Sequence, residues 1–215
     1  MSDLTVFNQP EMAQAFIDGT ESFDSANGIG GTGYFLKVEQ NSGDWVYGAA
    51  DELVEEDAIW AINIGSFEQG WICWSGRALI GRHARKANEP PMMEHELPAL
   101  PAGQDWKPMK KFDLKCVGGS NHGVEVTYET SSLGGLRALS KITRAIGERC
   151  HAGESDIIPV VALSSHTYPN KISGKDVRNP DFNIVGWSDG NSIPDITQPV
   201  LEEEPAVKTR ARRRK

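Results

Sequence analysis

Cysteine is scarce and odd in number: Cys73, Cys116 and Cys150 are the only three in 215 residues, far apart and without a CxxC pair. A disulfide framework is excluded and a structural zinc site disfavoured; reduced thiols in a cytoplasm fit best. Long apolar runs are missing too. Nothing approaches the ~20 residues that span a bilayer, and the opening MSDLTVFNQPEMAQ lacks the basic start and apolar stretch of a secretory leader. The expectation is a soluble, non-secreted protein with no membrane partner. Positive charge is nearly absent from residues 1–60, where twelve acids face Lys37 alone. HExxH and GxxxxGK[ST] do not occur, and GxSxG occurs once, over residues 186–190.

The residues that could still do chemistry are badly placed for it. His83, His95, His122, His151 and His166 are scattered. His95 lies between Glu94 and Glu96, but immediate neighbours point apart on extended backbone. Cys150 beside His151 fails as a nucleophile and base for the same reason, since adjacent residues rarely converge on one reacting atom. The acids of residues 51–57 have the charge to hold a divalent ion for a nuclease, yet no lysine or histidine accompanies them. Glycines cluster in NGIGGTG, residues 27–33. A phosphate-cradling loop needs a strand before it and a helix after it, and here the strand-like YFLKV follows instead. The expectation is a non-catalytic protein without cofactor or metal.

What is present is one domain's worth of core, with 39% hydrophobic residues. Residues 1–33 read as an acidic, Gly-rich lead-in, with a weak helical pattern of Phe7, Met12, Ala15 and Phe16. Residues 34–187 form the domain. Residues 188–215 are polar, proline-bearing and blocky in charge, ending in RARRRK, and are expected to be disordered.

The domain is organised around residues 60–86, WAINIGSFEQGWICWSGRALIGRHARK, which hold three of the six tryptophans. Trp60, Ile62 and Ile64 alternate, glycines at 65 and 70 suggest a turn, and the chain runs on through Trp71, Cys73 and Trp74 into a basic loop. Before it, residues 34–38 and 45–47 make a hairpin across NSGD, and residues 51–57 a short acidic helix or turn. After it, residues 87–108 carry four prolines before Trp106 and one beyond it, which makes an extended excursion. FDLKCV and GVEVTYET follow as strands. A helix follows from Ser131 or Ser132 as cap to Gly153 as stop, with Leu133, Leu136, Leu139, Ile142 and Ile146 as its apolar stripe. DIIPVVALSS is a strand in which Pro159 implies an edge or a bulge, then a polar loop, then FNIVGW as the last strand.

About eight strands and one amphipathic helix, without strand-helix alternation, indicate a mainly β protein. The helix lies where a five-stranded OB barrel places its own, between third and fourth strands, so an OB-like barrel with extra hairpin strands is expected, with a β-sandwich as the alternative. OB barrels bind single strands with stacked aromatics and flanking basic loops. The candidate track is Trp60, Trp71 and Trp74 for stacking, with Arg77, Arg82, Arg85, Lys86, Lys110, Lys111, Lys171, Lys175 and Arg178 for phosphates. The plainer reading is that tryptophans at strand spacing are core and a basic loop is solvated. The formal net charge of -8 weakens the nucleic-acid reading without removing it, because the local field along the track decides.

A resemblance bears on the choice. GYFLKV, DWVYG, GWICW, PVVAL, Tyr168, Lys171, Gly174 and PDFNIVGW, with the RARRRK tail, resemble uncharacterised tailed-phage proteins that accompany replication and recombination genes. The resemblance implies single-stranded DNA as partner, with phage or host replication proteins beside it, in the host cytoplasm. Phage single-stranded DNA-binding proteins usually end in acid and an aromatic, whereas this chain ends in base. The alternative is a protein-protein module, an adaptor or host-defence inhibitor, presenting the acids of residues 51–57; a metal-dependent nuclease is third.

Overall fold

The computed structural model describes residues 34–76, 78–169 and 176–190. The lead-in with its glycine cluster, Arg77, Lys171, Lys175 and nearly all of the tail lie outside the described residues.

Among the described residues nine strands and one α-helix follow in order: β1 (Tyr34–Val38), β2 (Trp45–Tyr47), β3 (Glu52–Leu53), β4 (Ile59–Ser75), β5 (Ala78–Lys86), β6 (Lys107–Gly118), β7 (Glu125–Thr130), α1 (Leu133–Ala152), β8 (Ile158–Pro169) and β9 (Asp176–Ser188). The protein is mainly β with one helix. All strands belong to one mixed sheet in the order β3-β2-β1-β7-β6-β4-β8-β9, with β5 pairing β4 beside that path.

Within that path, β7-β6-β4-β8-β9 has the neighbours of an OB barrel's strands 3-2-1-4-5, and α1 stands between the third and fourth. The barrel is not closed by a ladder. Where its third and fifth strands would meet, β1 pairs in parallel with β7 through Tyr34↔Val126 and Phe35↔Thr127. The two ends of the sheet meet through side chains instead. Trp45 Nε1 donates to the Ser164 carbonyl at 2.8 Å, and Ser165 Oγ to the Gly43 carbonyl at 2.7 Å. The Trp45 ring stands edge-on to Phe182 at 5.2 Å and to Tyr128 at 5.5 Å. The sheet therefore wraps a single aromatic core of Trp60, Ile62, Phe112, Leu114, Val126, Tyr128 and Phe182.

The central stretch departs from its sequence reading. Residues 65–70 do not turn: β4 is one strand of 17 residues, and the reversal comes at Ser75↔Ala78. Between Asn63↔Asp113 and Glu68↔Lys111 four residues of β4 stand opposite Phe112 alone. Side chains satisfy this bulge: Asn63 Oδ1 accepts from the Gly65 amide, and Ser66 Oγ donates to the Asn63 carbonyl and accepts from the Asp113 amide. Gly70 has a second reason to be glycine, since a Cβ there would lie 2.0 Å from the His83 carbonyl oxygen on the paired strand. The segment read as a basic loop is strand β5.

The remaining elements are closer to expectation. β1 and β2 form the expected hairpin with Leu36↔Tyr47 in register. Residues 51–57 are turns around the two-residue β3 rather than a helix. Ser132 caps α1 by accepting from the Gly135 amide, and Gly153 ends it at φ 76°. The buried stripe is Gly135, Ala138, Leu139 and Ile142, whereas Leu133 at the first turn is 64% exposed. Pro159 sits beside a register shift at Val160/Val161. The polar loop before FNIVGW is shorter than read, because β8 and β9 continue their pairing out to Pro169↔Asp176.

Candidate nucleic-acid interface

An OB barrel's ligand surface is the face of its second and third strands, flanked by the loops between strands 1 and 2 and between 4 and 5. Here those strands are β6 and β7. The first loop has grown into the long β4–β5 hairpin and the proline-rich excursion that returns to β6.

Alternation along β6 sorts its lysines. Phe112 and Leu114 face the core, so Lys110 shares their side and Lys107, Lys111 and Asp113 lie outward. Lys110 Nζ donates to Ser140 Oγ of α1 at 2.7 Å and lies 6.0 Å from the Phe67 ring centroid, and its burial pulls its pKa down. It is a positioning contact under the helix rather than a phosphate ligand. Lys111 is paired with Asp113 at 3.8 Å, its side chain only 13% exposed.

Arg82 is likewise committed. From β5 it reaches across two strands, with its guanidinium 2.6 Å from Glu68 and 3.1 Å from Glu129. Partial burial opposes its charge, but the hydrogen bonds and ion pairs with both carboxylates outweigh that and hold it above the ordinary arginine range. Arg85 donates to the Pro90 carbonyl and stands 3.8 Å from Glu96.

The tryptophans divide three ways. Trp60 is fully buried and cannot stack a base; its sequence assignment as a platform is corrected to core. Trp71 is half-buried and its Nε1 donates to the Met92 carbonyl at 2.9 Å, which ties it to the excursion. Trp106 does the same through Nε1 to the Pro98 carbonyl, with its ring over Gly81 and edge-on to His83. The excursion is thus pinned over this hairpin face by two indoles and Arg85. Trp74 alone of the three is open, 49% exposed near the hairpin tip beside Leu79 and Ile80.

Lys86 is exposed and has no ion-pair partner among the described residues; the same holds for Lys107, on the strand position paired with Ile72. Arg178 lies on strand β9 opposite Thr167 rather than in a loop. Sequence reasoning did not select Phe35, which is 60% exposed beside Thr127 on the outward side of β1. The signal was available in YFLKV: once Leu36 is core, Phe35 and Lys37 must face out. The acids of residues 51–57 are partly structural, with Asp51 paired to Lys37 at 2.6 Å and Asp57 accepting from the Ser120 amide and hydroxyl.

No protein-family model, curated protein or solved structure matches this chain. No helix among the described residues is long and apolar enough to cross a membrane.

Proposed function

We propose that this protein binds single-stranded DNA without catalysing a reaction, as part of a phage replication or recombination system in the host cytoplasm. The observation that carries the reading is the exposure of aromatic rings at two OB ligand positions. Phe35 stands beside the barrel's third strand, and Trp74 on the hairpin between its first and second. By register they lie about eight residues apart along the strands and three strands apart across them, roughly 30 Å at strand rise and spacing, within the footprint of a single strand on one OB unit. Lys107 and Lys86 supply uncommitted charge near the hairpin, so stacking carries more of the binding than phosphate contact does.

The test is tryptophan fluorescence of the full chain titrated with a 30-base oligo-dT at low and high salt. Trp74 is the indole expected to quench, and Trp74→Ala should lose about 1–3 kcal/mol of affinity, one stacked base. Absence of quenching at low salt overturns the reading. The alternative, a protein-protein module, draws on the same tip: Leu79 and Ile80 are 41% and 42% exposed beside Trp74, and base stacking has no use for them.

A further inference from the structure

Strand β5 leaves one edge of the sheet open. Its ladder with β4 runs from Lys86 to Ala78, and among the described residues no strand pairs with its other side. The proline-rich excursion does not fill the place. It crosses the face that carries Trp71, Gly81 and His83, and no backbone hydrogen bond joins it to residues 78–85 among the described residues. Charge often guards an open edge, but here the arginines are engaged elsewhere. Arg82 is held by Glu68 and Glu129, and Arg85 by the Pro90 carbonyl and Glu96. The far end of the edge shows Leu79 and Ile80, both exposed.

Topology brings one particular piece of chain to this edge. β8 and β5 lie on the same side of β4, one after the other, with β6 on the opposite side: β8 pairs with Ile59 to Ala61, and β5 with Glu68 to Ser75. β9 flanks β8, and the corresponding place beside β5 is vacant among the described residues. β9 runs parallel to β4, because each is antiparallel to β8. The chain leaving β9 therefore heads along β5 in the antiparallel sense. Register gives the distance. Gly186 is level with Ala61 through Val160, and the β5 ladder begins at Lys86 opposite Glu68. On β6 those two levels are Lys115 and Lys111, about 13 Å apart at strand rise. The chain from Gly186 to Gly190 is long enough to cover that span, and Gly190 bends it at φ 89° level with the bulge in β4.

Counting on from Gly190 beside Lys86, Ile196 comes level with Ile80 and Gln198 with Ala78, and Pro199 follows where β5 ends. Residues 192–198, SIPDITQ, carry the β-branched Ile193, Ile196 and Thr197. An outermost strand also admits Pro194, with its ring nitrogen on the free side. A second copy of β5 suits the edge less well: pairing two of them antiparallel about Arg82 sets Leu79 against Arg85 and arginine against arginine.

We propose that residues 192–198 add to the open edge of β5 as a tenth, antiparallel strand, with Ile196 against Leu79 and Ile80. This strand completes the sheet whether or not the protein binds DNA.

Hydrogen exchange of the full chain, read by mass spectrometry, tests it. Peptides covering residues 192–198 should exchange about a hundredfold more slowly than an unstructured chain. Ile196→Asp should remove that protection together with part of the protection of residues 79–85, leaving β6 and β7 unchanged. Leu79→Asp, with its fold checked by circular dichroism, should free residues 192–198 in the same way. Exchange of residues 192–198 at the unstructured rate overturns the proposal, and so does protection of residues 79–85 that Ile196→Asp leaves in place, since the edge then has another occupant. Light scattering separates one chain from two. A monomer is expected, whereas a dimer that Ile196→Asp dissociates would make the added strand a second copy's and overturn the proposal.

Discussion

Arg82 shows why a basic residue in a sequence is not yet a basic surface. Its guanidinium joins Glu68 and Glu129, with the three side chains only a fifth to a quarter exposed. Arg82→Ala would leave two half-buried carboxylates facing one another, and we expect a stability loss of about 1–3 kcal/mol, read by chemical denaturation. Oligonucleotide affinity, measured where the variant is folded, should stay within about twofold, an order-of-magnitude bound for a charge already neutralised. Tyr128 makes a different prediction. Burial pushes its phenol up to about 12, against hydrogen bonding to Thr130 that lowers it. Unfolded tyrosine ionises near 10, so between about pH 10 and 12 the unfolded chain holds fewer protons than the native one. Stability contributed by the buried neutral phenol is therefore present below pH 10 and lost as pH rises towards 12. Tyr128→Phe should flatten that alkaline decline relative to the parent, whatever it does to stability at neutral pH.

Helix α1 separates two roles for glycine within one element. Gly135 is pressed onto the sheet, where a Cβ would lie 2.3 Å from Thr130 Oγ1 and 2.8 Å from the Tyr128 hydroxyl. Gly147 has nothing within 4 Å and is exposed. Gly147→Ala should stabilise by about 0.5–1 kcal/mol through helix propensity, whereas Gly135→Ala should destabilise despite the same propensity gain, both read from thermal melts. The caps of this helix and the β1–β2 hairpin were legible in sequence because local chemistry specifies them: Ser132, Gly153, and the NSGD turn. The 17-residue β4 was not. Gly65 and Gly70 look like a turn, but one belongs to a bulge whose groups Asn63 and Ser66 satisfy, and the other yields to a neighbouring backbone. What makes the first a bulge is the pairing with β6 around Phe112, and what constrains the second is His83 on β5, neither of them local in sequence. The candidate site was legible in the same uneven way. Trp74 stood out by type and proved open, but Trp60, Arg82 and Lys110 are of equally suitable type, and only burial, strand parity and partners on β4, β7 and α1 remove them.

At the scale of the whole molecule, charge limits what the proposed interface can do. Residues 34–190 carry twenty-one acids against sixteen bases, and Arg82, Lys111, Lys115, Lys141 and Arg149 are spent on internal ion pairs. No broad positive field is left to draw a strand from a distance. Binding by the core must then rest on a few phosphate contacts near exposed rings, and its salt dependence must be shallow. With two to four phosphates neutralised, a number we take roughly from Lys86, Lys107 and Arg178, the logarithm of affinity should fall with a slope of about -1.4 to -2.8 against that of salt, at about 0.7 per phosphate of a single strand. Lys107→Ala, on an exposed position with no partner to strand, should leave the melting temperature alone and make the slope shallower by about one phosphate's worth. A slope much steeper than this in the full chain, and restored to the shallow value when the basic residues 210–215 are replaced by neutral ones, would assign the additional contacts to the RARRRK segment. A steep slope that survives that replacement would mean that the charges of the folded core act together over a wider surface than the ion pairs allow, and the stacking-led account of the interface would fall.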